Sequence, residues 1–217
     1  IELLPIPRDE IEIVVCDNTS TDHTHEIVAP YLQRSDFHYY RNPENVGMLG
    51  NLRVTSHHAQ GEYIWILGDD DLIKPGSIEK ILKAIKNNPG AALIYLNYAY
   101  THESSAEGVN DLESFINGAT PIVEPTDDIC DYIKNISTQS ENFFTAIYCL
   151  VYRRDHALKA YSLNTEGRPF STMLTCIPTT YYVLNYMMDE IGVWLGEPLL
   201  VVNMNVSWMK YAPLWIL

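Results

Sequence analysis

Three adjacent carboxylates, Asp69, Asp70 and Asp71, follow an uninterrupted apolar run at residues 63–67, and Gly68 separates the two segments. A short continuous apolar run bounded by turn residues is typical of a strand that is buried on both faces. The pattern therefore places three acids at the carboxyl end of a central strand. In open α/β sheets that edge is where ligands bind.

Carboxylates so close together repel one another, and near a core of low dielectric constant they raise one another's pKa. A hard divalent cation removes the repulsion, and oxygen-only ligands suit Mg²⁺ or Mn²⁺. The alternative is an acidic loop that leads into a helix, with the acids near its positive N-terminal end. The residues themselves favour the metal site.

Composition restricts the class of protein and its partners. The 217 residues suffice for one large domain or two small ones, and 47% of them are apolar. The formal net charge of −14 argues against a nucleic-acid partner and against non-specific attraction to anionic lipid. No apolar run approaches the roughly 20 residues that span a bilayer, and we expect no secretory signal. We expect at most peripheral membrane association.

The four cysteines are far apart in the sequence, and none belongs to a C-x-x-C pair. This spacing favours reduced, mostly buried thiols over a disulfide framework or a zinc site. We therefore expect a cytoplasmic protein. The cysteines are Cys16, Cys130, Cys149 and Cys176.

Strand and helix patterns alternate through residues 11–98 in the order β-α-β-α-β-α-β. The predicted strands cover residues 11–16, 37–40, 63–67 and 91–96. The clearest helix opens at Ser77 and carries one apolar stripe, whereas Pro30 is expected to end the first helix early. Such alternation predicts a parallel or mostly parallel sheet with helices on both faces.

The second half of the chain is less regular. A helical pattern covers residues 129–136, an apolar strand pattern covers 143–152, and an aromatic-rich helix is predicted over 178–188. One or two strands are predicted over 191–202.

Several of these motifs resemble those of family 2 glycosyltransferases. Residues 12–22 resemble the family's strand and turn "IVVVDDGSTD". Asn45-Val46-Gly47, Asn51 and residues 61–71 resemble its segment "N-x-G … N … A-x-G-E-Y-I-x-x-L-D-x-D-D". The form Gly-Asp-Asp-Asp is similar to a subgroup that includes bacterial O-antigen and capsule transferases such as the abequosyltransferases. The resemblance covers about residues 11–98, and residues 143–154 match a later strand more loosely.

The resemblance implies a GT-A fold, which is a Rossmann-like, mostly parallel α/β sheet with helices on both faces. It also implies an inverting glycosyltransferase with a nucleotide-sugar donor, here a UDP- or dTDP-sugar, and a Mn or Mg cation. By position, Asp70 and Asp71 would hold the metal on the diphosphate. The donor would contact Asp17, Asn45, Asn51, Asp69 and Asp70. Asp17 would hydrogen-bond the nucleobase.

Other roles remain open for some of these residues. Asp17 could simply cap the turn that follows its strand, and Asn45 and Asn51 could be ordinary turn and helix-surface residues. The resemblance further divides the domain into a donor-binding half at residues 1–98 and an acceptor-binding half at 99–217. The acceptor would be a glycan or a lipid-linked sugar.

The sequence departs from the family pattern at three places. No counterpart of the family's opening strand precedes Ile11, so we expect that strand to be absent from this chain. Gly68 stands where the family has its first acid. The family's Glu-Asp pair, which supplies the catalytic base, falls by spacing near Pro178-Thr179 in this chain. Neither of these two side chains can accept a proton usefully. The candidate catalytic carboxylates are then Asp189 and Glu141, with Glu190 as a further substitute. Each of the three could instead be an ordinary surface residue.

Two other functions remain compatible with the sequence. A binding module for sugar nucleotides or glycans could keep the fold without catalysis, which the missing base would explain. A nucleotidyltransferase also uses carboxylates and a metal on an α/β sheet. That function predicts a glycine-rich, basic phosphate loop near the first strand, and the sequence shows none.

Overall fold

The computed structural model describes residues 7, 9–103, 112–119, 147–167 and 171–205. The strands are β1 (Ile13–Asp17), β2 (Phe37–Arg41), β3 (Tyr63–Trp65), β4 (Leu72–Ile73), β5 (Leu93–Thr101), β6 (Gly118–Ala119), β7 (Leu150–Arg153) and β8 (Gly192–Asn203). The α-helices are α1 (Thr24–Val28), α2 (Gly47–His58), α3 (Ser77–Asn87), α4 (Leu112–Phe115), α5 (Arg154–Tyr161), α6 (Met173–Cys176) and α7 (Pro178–Tyr186).

The strands form two sheets. β1 and β2 are a parallel pair in which Asp17 lies opposite Arg41. The larger sheet has the order β3-β7-β5-β8-β4, and β6 also pairs with β5. β7 is antiparallel to both β3 and β5, while β5 and β8 are parallel. β3, β5 and β8 therefore run in the same direction, and we call the edge where they end the carboxyl edge.

The expected mostly parallel sheet needs a correction. The pairs β1–β2 and β5–β8 are parallel, whereas the pairs of β3 and β5 with β7, of β4 with β8 and of β6 with β5 are antiparallel. Alternating strands and helices predicted the common direction of β3 and β5. They gave no sign that β7, from much later in the chain, enters between those two strands.

The core is built on the long strands β5 and β8. Ile94 and Leu96 of β5, with Leu200 and Val202 of β8, are at most 1% exposed. Strands covered on both faces bury consecutive residues, which agrees with seven buried residues in a row at the start of β5. This pair of strands is the rigid support of the carboxyl edge.

Helix α3 is fixed to the sheet at its first residue. The hydroxyl of Ser77 donates a hydrogen bond of 2.8 Å to the carbonyl of Leu199 in β8. Ile78, Ile81 and Ala84 then turn one apolar face to the core. The predicted helix at this position is confirmed.

Proline shortens the first helix, as its sequence predicts. α1 ends at Val28, and Pro30 lies in the 3₁₀ turn Ala29–Tyr31 that follows it. The predicted strand at 143–152 is shorter than expected, since a 3₁₀ turn at Ile147–Cys149 precedes β7. The predicted helix at 129–136 lies outside the described residues. None of the described helices has the length and apolar character needed to cross a membrane.

The central position of β5 leads to a stability prediction. Ile94→Ala should lower the free energy of unfolding by about 2–5 kcal/mol, because it removes a fully buried side chain and leaves a cavity. Ile27→Ala is the matched control: Ile27 is 67% exposed, and its removal should change stability by less than about 0.5 kcal/mol. Urea unfolding monitored by circular dichroism measures both. Equal losses in the two variants would contradict this placement of the core.

Candidate active site

The acid run lies at the carboxyl edge, as its sequence predicts. Asp71 is fixed between two backbone amides: Gly68 donates to its Oδ2 at 3.3 Å and Asn203 donates to its Oδ1 at 3.4 Å. Asn203 is the last residue of β8 and pairs with Thr101, the last residue of β5. The side chain of Asp71 therefore lies where two parallel strands end. That is the usual ligand-binding edge of such sheets.

Gly68 allows two of the carboxylates to approach the same point. A Cβ at Gly68 would lie 2.5 Å from Oδ1 of Asp70 and 3.0 Å from Oδ2 of Asp71. Any larger residue at this position would have to displace the carboxylate of Asp70. The absence of a side chain at Gly68 thus leaves room for the carboxylates of Asp70 and Asp71 beside it, and the sequence pattern does not reveal this role.

Burial and neighbouring negative charge raise the pKa of both carboxylates. Burial, and then the negative charge of Asp70, raises the pKa of Asp71 to about 6. Burial and the charge of Asp69 also raise the pKa of Asp70. Burial raises the pKa of Tyr148 and of Cys149, and the nearby charge of Asp71 raises both further. The fold therefore brings negative charge together at partial burial, and the described residues that act most on the pKa of Asp70 and Asp71 include no cationic side chain.

These residues fit a divalent cation of the Mg²⁺ or Mn²⁺ type. In the described part of the chain, no three His, Cys, Asp or Glu side chains come together as a complete metal site. Mg²⁺ does not require one, because it is commonly held by one or two carboxylates, with water and substrate phosphates as its other ligands. Two carboxylates with raised pKa values that face a common point are a suitable protein contribution.

The carboxylate of Asp17 is hydrogen-bonded by the loop after β1 and by β2. Its side chain is 0% exposed and accepts hydrogen bonds from the Ser20 amide at 2.6 Å, the Tyr39 hydroxyl at 2.7 Å and the Arg41 guanidinium at 2.5 Å. Burial alone would raise the pKa of Asp17, but these partners outweigh it and lower the pKa to about 2. Asp17 is therefore a permanent anion that holds the loop after β1 against β2.

Tyr39 and Arg41 were not singled out from the sequence. They lie two residues apart on β2, so their side chains share one face of the strand. The parallel register then places Arg41 directly opposite Asp17. The two-residue spacing of Tyr39 and Arg41 is visible in the sequence. It indicates a contact with Asp17 only once the pairing of β1 with β2 is known.

A network of amide side chains connects this loop to helix α2. Asn18 donates to Asn45 at 2.9 Å, and Asn42 donates to both Asn18 and Asn51, at 3.1 and 2.9 Å. Asn51 in turn donates to the carbonyl of Cys16 in β1 at 3.0 Å. Asn45 and Asn51 are thus brought together with the loop of Asp17, where they fix the start of α2. Their contact with a donor stays a prediction.

Comparison with known proteins assigns the fold and the family. The profile of glycosyl transferase family 2 matches residues 2–160. The chain belongs to glycosyl transferase family 2. The predicted GT-A fold class is confirmed by the structures of TarS from S. aureus. TarS 1–349 superposes with a TM-score of 0.65 at 16% identity, over 92% of this chain and 53% of TarS.

Curated relatives of the chain are also glycosyltransferases. Abequosyltransferase RfbV of Salmonella typhimurium is 37% identical over 71 residues, which are 32% of this chain and 21% of RfbV. An uncharacterized glycosyltransferase of Mycoplasma pneumoniae, the MG060 homolog, is 28% identical over 83 residues, or 37% of this chain and 28% of the relative. The chain thus spans less than a third of these relatives. The match confirms the predicted family and agrees with the resemblance to abequosyltransferases.

The structure does not bring Asp189 to the acid run. Asp189 is an exposed turn residue ahead of the first residue of β8, whereas Asp71 is bonded at the last. Nine paired residues of β5 separate the two ends, which corresponds to about 25 Å of strand. Its role as a catalytic base stays a prediction that this position does not support. Glu141 lies outside the described residues, and its role stays a prediction.

A second charged cluster surrounds His156 at the opposite edge of the sheet. Nε2 of His156 lies 3.1 Å from the Arg153 guanidinium, 3.6 Å from Glu190 and 3.7 Å from Asp155. Burial lowers the pKa of His156 despite the two carboxylates, so the imidazole is neutral at pH 7. Glu190, the further substitute for the base, belongs to this cluster and not to the acid run.

The raised pKa of Asp71 leads to a pH prediction. Its pKa of about 6 exceeds the usual value of about 4 for an unfolded chain, so the charged form destabilises the fold. This penalty is complete above pH 6 and disappears as the pH falls below 4. Without divalent cations, Asp71→Asn should therefore stabilise the protein at pH 8 by on the order of 1–2 kcal/mol, and much less at pH 4.

Urea unfolding at the two pH values, in the presence of a chelator, measures this effect. Glu79→Gln is the control, since Glu79 is an exposed carboxylate on α3 and should give the same small change at both pH values. If the difference in unfolding free energy between Asp71→Asn and the parent were the same at pH 4 and at pH 8, the raised pKa of Asp71 would be contradicted.

The ion pair of Asp17 supports a further prediction. Arg41→Met should destabilise the protein by about 2 kcal/mol at pH 7, because it leaves a buried carboxylate without its counter-ion. The loss should shrink as the pH falls towards 3, where the variant's Asp17 becomes protonated more readily than the parent's. Lys83→Met, on the exposed face of α3, is the control for removal of a cation. Equal losses in the two variants at pH 7 would show that Asp17 does not depend on Arg41.

Proposed function

We propose that this family 2 protein transfers a sugar from a UDP- or dTDP-sugar to a hydroxyl of a glycan or a lipid-linked acceptor, with inversion at the anomeric carbon. The observation that carries the proposal is the pair Asp70 and Asp71, whose carboxylates both lie beside Gly68 at the carboxyl edge and have raised pKa values. A nucleotide-sugar donor is supported by TarS, whose structures include complexes with UDP and with UDP-GlcNAc.

Asp70 and Asp71 would hold a Mn²⁺ or Mg²⁺ ion, which stabilises the negative charge that grows on the diphosphate as the sugar–phosphate bond breaks. Asp71 is pre-positioned for this task by the two amides that bind its carboxylate. Asp69, exposed beside them, would contact the ribose. The chain's net charge of −14 makes a cation-mediated contact with phosphate preferable to a direct one.

The loop of Asp17 would supply the nucleobase side of the donor site. Since its carboxylate is already used three times, Asp17 would shape this site through Ser20 and Arg41 or exchange one partner for the base. Asn45 is exposed and can still donate from its amide nitrogen. We place the reaction in the cytoplasm, in keeping with Cys16, Cys149 and Cys176, which are all free thiols.

Calorimetric titration with UDP or dTDP, with and without Mn²⁺, tests the donor site. The double variant Asp70→Asn, Asp71→Asn should weaken Mn²⁺-dependent nucleotide binding at least about tenfold, because both protein ligands of the cation lose their charge. The control Asp9→Asn, Glu10→Gln also removes two adjacent negative charges, but from an exposed turn, and should bind as the parent does. Nucleotide binding that survives the double variant unchanged would overturn the proposal.

A binding module without catalysis is the second candidate, favoured by the distance between Asp189 and the acid run. It predicts the same nucleotide binding but neither hydrolysis of the donor nor transfer. Release of UDP or dTDP from a matched sugar donor, measured in a coupled assay with the parent and the Asp70→Asn, Asp71→Asn variant, separates the two functions.

A further inference from the structure

A cavity of about 270 Å³ lies on the other side of helix α2 from the amide network. It is enclosed by the first half of α2, the end of α5, the loop after α5 and the first residue of α7. The acids Asp17, Asp70 and Asp71 do not line it. The cavity is therefore separate from the donor site described above.

The lining combines an apolar wall with a few polar side chains. Leu52, Leu163 and Pro178 supply the apolar part, while Arg53, Asn164 and Glu166 supply the polar part. Small-molecule sites generally have this composition, and the volume is slightly below the usual range for drug-sized ligands. It suits a molecule of one or two sugar rings, which has apolar faces and a rim of hydroxyls.

The charges in the cavity favour a neutral ligand. Arg53 and Glu166 are both exposed, and neither forms an ion pair with any other described residue. A phosphate would be attracted by Arg53 and repelled by Glu166, and a hydrocarbon chain would leave both charges without a partner. Sugar hydroxyls can donate to a carboxylate and accept from a guanidinium at the same time.

The cavity is linked to the donor site through Asn51. Its lining residues Gly50 and Leu52 flank Asn51, which binds the carbonyl of Cys16 in β1 and the amide of Asn42. A ligand in the cavity would therefore contact one face of α2, while the network that holds the Asp17 loop occupies another.

We propose that this cavity binds one neutral sugar ring of the acceptor, with Arg53, Asn164 and Glu166 as its polar contacts. The inference rests on the proposed function, because an acceptor exists only if the protein transfers a sugar. It adds a location for the acceptor between α2 and the loop after α5, and it specifies an uncharged carbohydrate.

The probes are methyl α- and β-glycosides of glucose, galactose, mannose, rhamnose and N-acetylglucosamine. They are titrated into ¹⁵N-labelled protein to about 50 mM, since a ligand of this size binds with a Kd of about millimolar. At least one should shift the amide signals of Leu163, Asn164 and Glu166. Thr165→Trp, which fills the cavity, and Arg53→Ala should weaken that binding at least fivefold. Lys83→Met and Glu79→Gln on α3 should leave it unchanged.

Three outcomes would overturn the inference: no shift at the cavity with any glycoside, shifts confined to other surfaces, or binding that Thr165→Trp leaves intact. A folded Thr165→Trp variant is recognised by parent-like amide signals in β5 and β8. Titration of the same samples with UDP and Mn²⁺ separates the two proposals. Nucleotide binding without glycoside binding rejects only the acceptor cavity, whereas glycoside binding without nucleotide binding rejects the donor site and the transferase with it.

Discussion

The approach of two carboxylates to the same glycine is the constraint on which the candidate site depends. Asp71 is held in place by hydrogen bonds from the backbone of Gly68 and from the end of β8, and the exposed carboxylate of Asp70 lies beside the same glycine. The packing of β5 and β8, in which residues 93–99 and 199–202 are buried, stabilises the fold against the repulsion between the two carboxylates. The stability of the core thus supports an arrangement that is unfavourable on its own and that a cation would relieve.

The loop of Asp17 also depends on the residues packed around it. A buried anion is costly unless hydrogen bonds and an opposite charge compensate it. Ser20, Tyr39 and Arg41 do so for Asp17, and the amide network then extends this rigid region to α2. The two parts of the donor site therefore differ. One carries a fully compensated charge with a pKa of about 2, and the other carries an uncompensated charge with a pKa of about 6.

The sequence predicted the parts of the fold that depend on local pattern. The apolar stripe that begins at Ile78 identified α3, the continuous apolar run at 91–96 identified β5, and Pro30 marked the end of α1. The sequence could not predict that β7 lies between β3 and β5, because local sequence patterns do not specify the order of strands in a sheet. In the site, the acid run was predictable from its position after a buried strand, whereas the role of Gly68 required the three-dimensional approach of Asp70.

The proposed transfer requires a base that takes the proton from the acceptor hydroxyl. Asp189 and Glu190 are attached to the amino end of β8, so the rigidity of that strand keeps them far from Asp71. Among the described residues, Glu166 is the one carboxylate that lines the proposed acceptor cavity, and its backbone amide donates a hydrogen bond of 3.1 Å to the side chain of Asn164. A carboxylate that acts as the base is better exposed than buried, because it must be ionised before the acceptor hydroxyl binds. Rigid strands therefore suit the proposed metal site, whereas an exposed loop is the more suitable position for the base.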